Sequence, residues 1–188
     1  MGHQPDRRAA RSHGRYDSEE APTLVQHMPV TLRSVRPEDE AFLFQVYAST
    51  RADEMRLVDW DHEQKQAFLQ MQFNAQTQSY RQQFPGAEYQ VILHDGVPAG
   101  RLTVEHSDKG ILLVDIALLP AHRDIGIGSG LIRDLKTEAQ RTGRPLRLDV
   151  ENFNPAYRLY ERLGFKKIYE AGFYWRMEWR PSARATTA

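Results

Sequence analysis

Apolar and polar positions alternate with two different periods along this chain, and the switches between them mark its elements. Residues 30–35 set Val30, Leu32 and Ser34 against Thr31, Arg33 and Val35, a short, imperfect alternation that predicts an edge-type strand. Pro37, Glu38 and Asp39 open a helix whose apolar stripe is Phe42 and Val46, with Phe44 and Tyr47 beside it. A long Gln-rich helix over residues 61–84 is expected to bury Phe68, Leu69 and Met71, and Pro85–Gly86 ends it. Two strands, residues 88–93 and 100–106, flank Asp95–Gly96, a strong hairpin signal. After the turn at Asp108, Lys109 and Gly110 comes the longest apolar run, residues 111–119, which reads as a central strand covered on both faces. Leu131, Ile132, Leu135 and Ala139 then space a helix that Gly143 stops. A strand over residues 145–150 leads to a short helix, with Asn154 as N-cap, Pro155 at its first position and Gly164 as its stop. Two closing strands, residues 165–170 and 173–179, pair across Ala171–Gly172. The order β-α-α-β-β-β-α-β-α-β-β predicts an α/β domain built on a mixed sheet.

Residues 1–28 carry no such periodicity and are expected to form a disordered leader. The domain then covers 29–181, and 182–188 form a flexible C-terminal tail. His3, His13 and His27 fall in the leader at irregular spacing, and no metal site is expected from them. Hydrophobic residues at 40% and charged ones at 27% fit a globular domain. Lys plus Arg equal Asp plus Glu at 25 each, so net charge gives no reason to expect a nucleic-acid partner. No apolar run has the length of a membrane span, and no signal-type segment opens the chain, so a cytoplasmic protein without a membrane partner is expected. Cysteine is absent, which removes any thiol nucleophile from the chemistry.

The stretch that carries chemistry lies where the central strand gives way to a helix. Gly126, Gly128 and Gly130 stand at alternate positions there. Bare backbone at a helix N-terminus lets unpaired N–H groups come close to an anion, and phosphate or pyrophosphate is the natural ligand; a merely flexible connection is the competing reading. Arg123 stands just upstream, where its guanidinium could reinforce the same anion. A P-loop would need Gly-Lys-Ser or Gly-Lys-Thr, which the chain lacks, and a dinucleotide fingerprint would need glycine at Leu131.

Arg123-Asp124-Ile125-Gly126-Ile127-Gly128 resembles the acetyl-CoA motif of the Gcn5-related N-acetyltransferases, Arg/Gln-x-x-Gly-x-Gly/Ala. The residues before it, IALLP, and the block NPAYRLYERLGF after it are similar to that family's strand and to its Asn…Leu-Tyr-x-x-x-Gly-Phe element. The resemblance implies that family's acyltransferase fold over about residues 30–180, and acetyl-CoA as cosubstrate without a metal. It places the pantetheine arm beside Ile116, Ala117 and Leu118, with an amide near Leu118 facing the thioester oxygen. The pyrophosphate then rests on the amides of Asp124, Ile125, Gly126, Ile127, Gly128, Ser129 and Gly130. Tyr160 matches the family's general acid and Asn154 its cofactor contact; core packing and helix capping are the alternative roles for these two.

The reaction so implied is acetyl transfer to a primary amine by direct attack in a ternary complex, since no thiol exists to hold an acyl group. The amine must lose a proton, and Glu151, Asp115 and Glu105 are the candidate bases, with Glu151 preferred for its place at a strand end. Asp53, Glu54, Asp59, Asp61 and Glu63 surround Trp60 and would make an acidic, aromatic rim for a cationic amine, or else a solvated helix end. Tyr174, Trp175 and Trp179 read equally as core or as pocket wall. The acceptor, a small molecule or a peptide amine, is not named by the sequence, and a homodimer is left open. Two other readings compete: a non-catalytic acyl-CoA sensor, and a nucleotide-binding enzyme.

Overall fold

The computed structural model describes residues 29–182; the leader and the last six residues of the expected tail lie outside the described residues. The seven strands are β1 (Val30–Ser34), β2 (Glu88–His94), β3 (Val97–Ser107), β4 (Gly110–Leu118), β5 (Leu146–Glu151), β6 (Lys166–Ala171) and β7 (Tyr174–Trp179). They form one sheet in the order β1-β2-β3-β4-β5-β7-β6. Every pairing is antiparallel except β4 with β5; tight turns join β2 to β3, β3 to β4 and β6 to β7, while α4 carries the chain between the parallel β4 and β5. Asp95 and Gly96 both take positive φ, the conformation a two-residue hairpin of this twist requires.

The helices are α1 (Glu40–Thr50), α2 (Ala52–Arg56), α3 (His62–Gln83), α4 (Ile127–Thr142) and α5 (Tyr157–Arg162). The five-residue α2 is an addition to the expected order; it buries no side chain, so no apolar stripe announces it. One face of the sheet packs α4 and α5 over Ile92, Leu102, Leu113, Leu148 and Met177. In α4, Ile127, Leu131, Ile132 and Leu135 are buried. At about 2 kcal/mol for each large side chain, this face contributes on the order of 8 kcal/mol, an upper figure. The left-handed Gly143 closes α4 as expected.

The other face packs α1 and α3 through Tyr47, Leu69 and Phe73. Met71, expected inside, is 57% exposed, and on α3 Leu69 and Phe73 do the burying. Helix α5 also starts later than expected. Asn154 Oδ1 accepts from the Ala156 amide at 2.9 Å, so it caps a turn before the helix, which begins at Tyr157. The last hairpin turns at Gly172 and Phe173, one residue beyond the expected pair.

Candidate functional site

Strands β4 and β5 stay paired only over three steps, Ile111 with Leu146, Leu112 with Arg147 and Leu113 with Leu148. Beyond that β4 follows β3 as far as Leu118 opposite Gly100, while β5 follows β7 as far as Glu151 opposite Tyr174. A bulge at Val114 marks the divergence, because Thr103 pairs with Asp115 while Val104 pairs with Leu113. The sheet therefore opens into a wedge. The Leu119 amide donates to the Ala99 carbonyl at 2.9 Å, and strand backbone groups alternate in direction. The amides of Ile116 and Leu118 consequently face the wedge, unpaired.

At the wide end of the wedge the chain turns into α4. Asp124 and Gly126 adopt positive φ, +61° and +91°, so successive amides turn toward one side. The amides of residues 124–129 have no acceptor among the described residues, whereas the Gly130 amide, expected to join them, donates to the Gly126 carbonyl at 2.9 Å; the helix dipole adds positive potential. A Cβ added at Gly126 or Gly130 would meet nothing within 4 Å, and at Gly128 only the Ile116 and Leu118 methyls at 4.0 Å. Only Gly126 needs glycine for its own backbone. At Gly128 and Gly130 the bareness leaves open space against the main chain, which fits a bulky anion such as a diphosphate.

Arg123 does a different job from the one expected of it. Its Nε donates to the Leu118 carbonyl at 2.8 Å, and its Nη2 to Ser49 Oγ and the Ser49 carbonyl at 3.0 and 3.2 Å. Through Nε and Nη2 the guanidinium ties the end of β4 and the turn to the end of α1.

Tyr160 is 8% exposed and sits edge-on to Phe165 at 5.9 Å. Burial and the nearby Asp115 charge push its hydroxyl up to about 12, so it holds its proton throughout the neutral range. It makes no hydrogen bond to the described residues, so core packing alone leaves its polar end unused. Of the candidate bases, Asp115 is engaged: Arg101 Nε donates to it at 2.6 Å, and Arg101 Nη2 donates to Gln76 at 3.1 Å. Glu105 lies opposite Leu112, where β4 is still paired with β5 and the wedge has not opened. Glu151 differs from both. Along β5, Arg147 pairs with Glu178 and Asp149 with Arg176 on β7, but Glu151 falls opposite Tyr174, which carries no cation. The register thus leaves Glu151 half-buried at the wedge, without an ionic partner among the described residues.

These observations match what sequence comparison finds independently. The model of the acetyltransferase (GNAT) family matches residues 51–165, more than half of the chain. The chain belongs to this family. Solved structures agree in fold. An N-acetyltransferase (PaiA) from Thermoplasma acidophilum, in complex with coenzyme A, superposes with a TM-score of 0.61 at 18% identity, over 81% of this chain and 99% of that one. The ribosomal-protein-S18-alanine N-acetyltransferase of Escherichia coli gives 0.56 at 20% identity, over 85% and 99%. Among curated proteins, no match is found.

Within this GNAT domain, three of the five acids foreseen as a rim around Trp60 are engaged by their own neighbours. Asp53 pairs with Arg56, Glu54 with Arg51 at 2.9 Å, and Asp61 caps α3 by accepting from the Gln64 amide at 2.8 Å. Trp175 stacks against Tyr157 at 4.6 Å and Trp179 packs on the core, while Tyr174 is 47% exposed. A cleft lies instead under α1 and α3, with Tyr80, Gln76, Arg101 and Asp115 on its walls. The spacing Leu69, Phe73, Gln76, Tyr80 is a helical face that could have revealed it, and Arg101 is an inward charge on a strand. Among the described residues no three His, Asp or Glu side chains group to hold a metal, and no helix is long and apolar enough to cross a membrane.

Proposed function

We propose that this chain transfers the acetyl group of acetyl-CoA to a primary amine, by direct attack with both substrates bound. The observation that carries this reading is the alignment of two sets of unpaired amides. Those of Ile116 and Leu118 line the wedge, where they can receive an extended arm, and those of residues 124–129 follow in the turn into α4, where they can receive a diphosphate. Acetyl-CoA supplies an acyl group activated as a thioester; the chain's own residues position and stabilise it. The Leu118 amide faces the wedge, where it can donate to the oxygen that gains charge during attack. Asn154, whose amide donates to the Glu151 carbonyl at the end of β5 and whose side chain caps the next turn, supplies a further polar contact to the cofactor in this reading.

Proton movement falls to two residues. Glu151 accepts a proton from the incoming ammonium, whose ordinary pKa near 10.4 keeps it charged and unreactive. As the C–S bond of the tetrahedral intermediate breaks, the departing sulfur takes a proton from the Tyr160 hydroxyl, and the second proton of the newly bonded nitrogen, acidic once the amide forms, returns to the Tyr160 oxygen. A thiol near 8.5 is a much stronger acid than a hydroxyl at about 12, so a free-standing transfer runs uphill. Tyr160 therefore acts as a hydrogen-bond donor throughout C–S cleavage and yields its proton only as the thiol leaves. The acceptor is a small molecule or a peptide amine.

The test is thiol release from acetyl-CoA against a panel of amines, with Tyr160→Phe alongside the wild type. Amine-dependent release that falls by about 10²–10⁴ in kcat in the variant supports the reading. Coenzyme A binding without turnover on any amine would make the chain a binding module. Tight binding of NAD or ATP but not of coenzyme A would make it a nucleotide enzyme.

A further inference from the structure

The cleft under α1 and α3 ends in a largely covered ion pair that is only half used. Arg101 and Asp115 keep 12% and 19% of their side-chain surface exposed, and their 2.6 Å contact joins Nε to one carboxylate oxygen. Gln76 takes Nη2. Arg101 Nη1 and Asp115 Oδ1 make no hydrogen bond within the described residues. A charge pair so far removed from water is costly unless its remaining donors and acceptors find partners. The walls beside it are apolar or aromatic, Leu43, Phe73, Tyr80 and Tyr89, and Arg81 stands at the mouth over the Tyr89 ring. Burial keeps the Tyr80 hydroxyl protonated, up to about 12, so it remains a donor.

A ligand that completes an Arg–Asp pair must present an anion and a cation a few ångströms apart, next to an apolar body. That is the description of an α-amino acid with an apolar side chain. Its carboxylate meets Arg101 Nη1, its ammonium meets Asp115 Oδ1, and its side chain lies among Leu43, Phe73 and Tyr89. Asp115 immediately precedes Ile116, where the wedge opens, and on β5 the alternation that buries Leu148 and Val150 puts Glu151 on the same face as Asp115. An amine held at Asp115 thus stands at the acyl end of the wedge. We propose that the acceptor of this enzyme is the α-amino group of a free amino acid with an apolar or aromatic side chain, selected by the Arg101–Asp115 pair. This rests on the acetyltransferase reading above.

Two measurements on the full chain separate the failure of one from the failure of the other. The first is acetyl-CoA-dependent thiol release with L-phenylalanine, L-leucine, phenethylamine and L-phenylalaninamide. The expected result is turnover of both amino acids, with a KM lower by about tenfold or more than that of the two analogues lacking the carboxylate. Arg101→Lys should erase that difference. The second is saturation-transfer NMR of L-phenylalanine with the protein alone, in which the ligand signal should appear and should weaken in Arg101→Lys. Equal KM values with and without the carboxylate, or turnover confined to polyamines or peptides, overturn the inference and leave the acetyltransferase intact. Absence of saturation transfer from the amino acid overturns it as well. A positive NMR signal with no acetyl-CoA turnover on any amine supports the amino-acid site and overturns the acetyltransferase reading instead.

Discussion

Gly126 and Gly128 stand two residues apart in the same turn, yet the structure gives them different reasons to be glycine, and alanine at each should separate the two. Gly128 has an ordinary helical backbone, and a methyl there would touch only the Ile116 and Leu118 methyls, at 4.0 Å. Replacing glycine by alanine in a helix stabilises by about 0.5–1 kcal/mol, so Gly128→Ala should raise Tm by up to about 4 °C in a chain of this size. Gly126 sits at φ +91°, where a Cβ costs about 1–2 kcal/mol, so Gly126→Ala should lower Tm by roughly 2–8 °C. For the ligand the Gly128 result reverses. Its methyl projects between the turn and the open edge of β4, and displacing a diphosphate there weakens charge-assisted hydrogen bonds worth about 1.5–3 kcal/mol. The affinity for acetyl-CoA should fall by about tenfold or more. Differential scanning fluorimetry and isothermal titration calorimetry on the two variants read both quantities. A Gly128→Ala protein that is more stable and binds acetyl-CoA as tightly as wild type would refute the placement of the diphosphate. One that is less stable would refute the packing argument.

Three other outcomes follow from the geometry. Gly100→Ala puts a Cβ 2.2 Å from the Ala117 carbonyl oxygen, on the strand pair that holds the wedge open. It should cost about 3 kcal/mol and lower Tm by roughly 6–12 °C by fluorimetry. Arg123→Met removes the ties to Leu118 and Ser49, so hydrogen exchange at residues 119–124 should speed up while the rest of α4 keeps its protection. The Arg33 fork and the Arg36 amide hold the Asp39 carboxylate down at about 2, below its ordinary 3.8. A lowered carboxylate stabilises the fold above its unfolded pKa, and that stability drains away as pH falls from about 5 toward 2. Asp39→Asn should therefore lower Tm at pH 7 and flatten its decline between pH 5 and 2 in acid titrations.

The strands, the two long helices and their stops were legible because they rest on local signals: Asp95–Gly96 for the hairpin, Gly143 for the end of α4, and the 111–119 run for the central strand. The glycine turn into α4 was legible for the same reason, since glycines at alternate positions before a helical stripe are a local pattern. What sequence reading missed is long-range. The pairing of Arg101 with Asp115 joins residues on neighbouring strands, and it turns an expected base into half of an ion pair. Arg123 reaches Ser49 across 74 residues of sequence, so its role as a tie has no trace in its own neighbourhood. The isolation of Glu151 follows from the β5–β7 register, which no pattern within β5 fixes. Met71 was assigned inside by spacing alone. Where three apolar residues crowd one stretch of helix, tertiary packing decides which of them faces the sheet, and here Leu69 and Phe73 do.

Binding of acetyl-CoA to the purified full-length chain, followed by calorimetry beside NAD and ATP, tests the central claim most directly. The wedge and turn predict one site with an affinity on the order of micromolar for acetyl-CoA and no comparable heat from the two nucleotides. Silence with acetyl-CoA at millimolar concentration, or equal heats from all three, would contradict it.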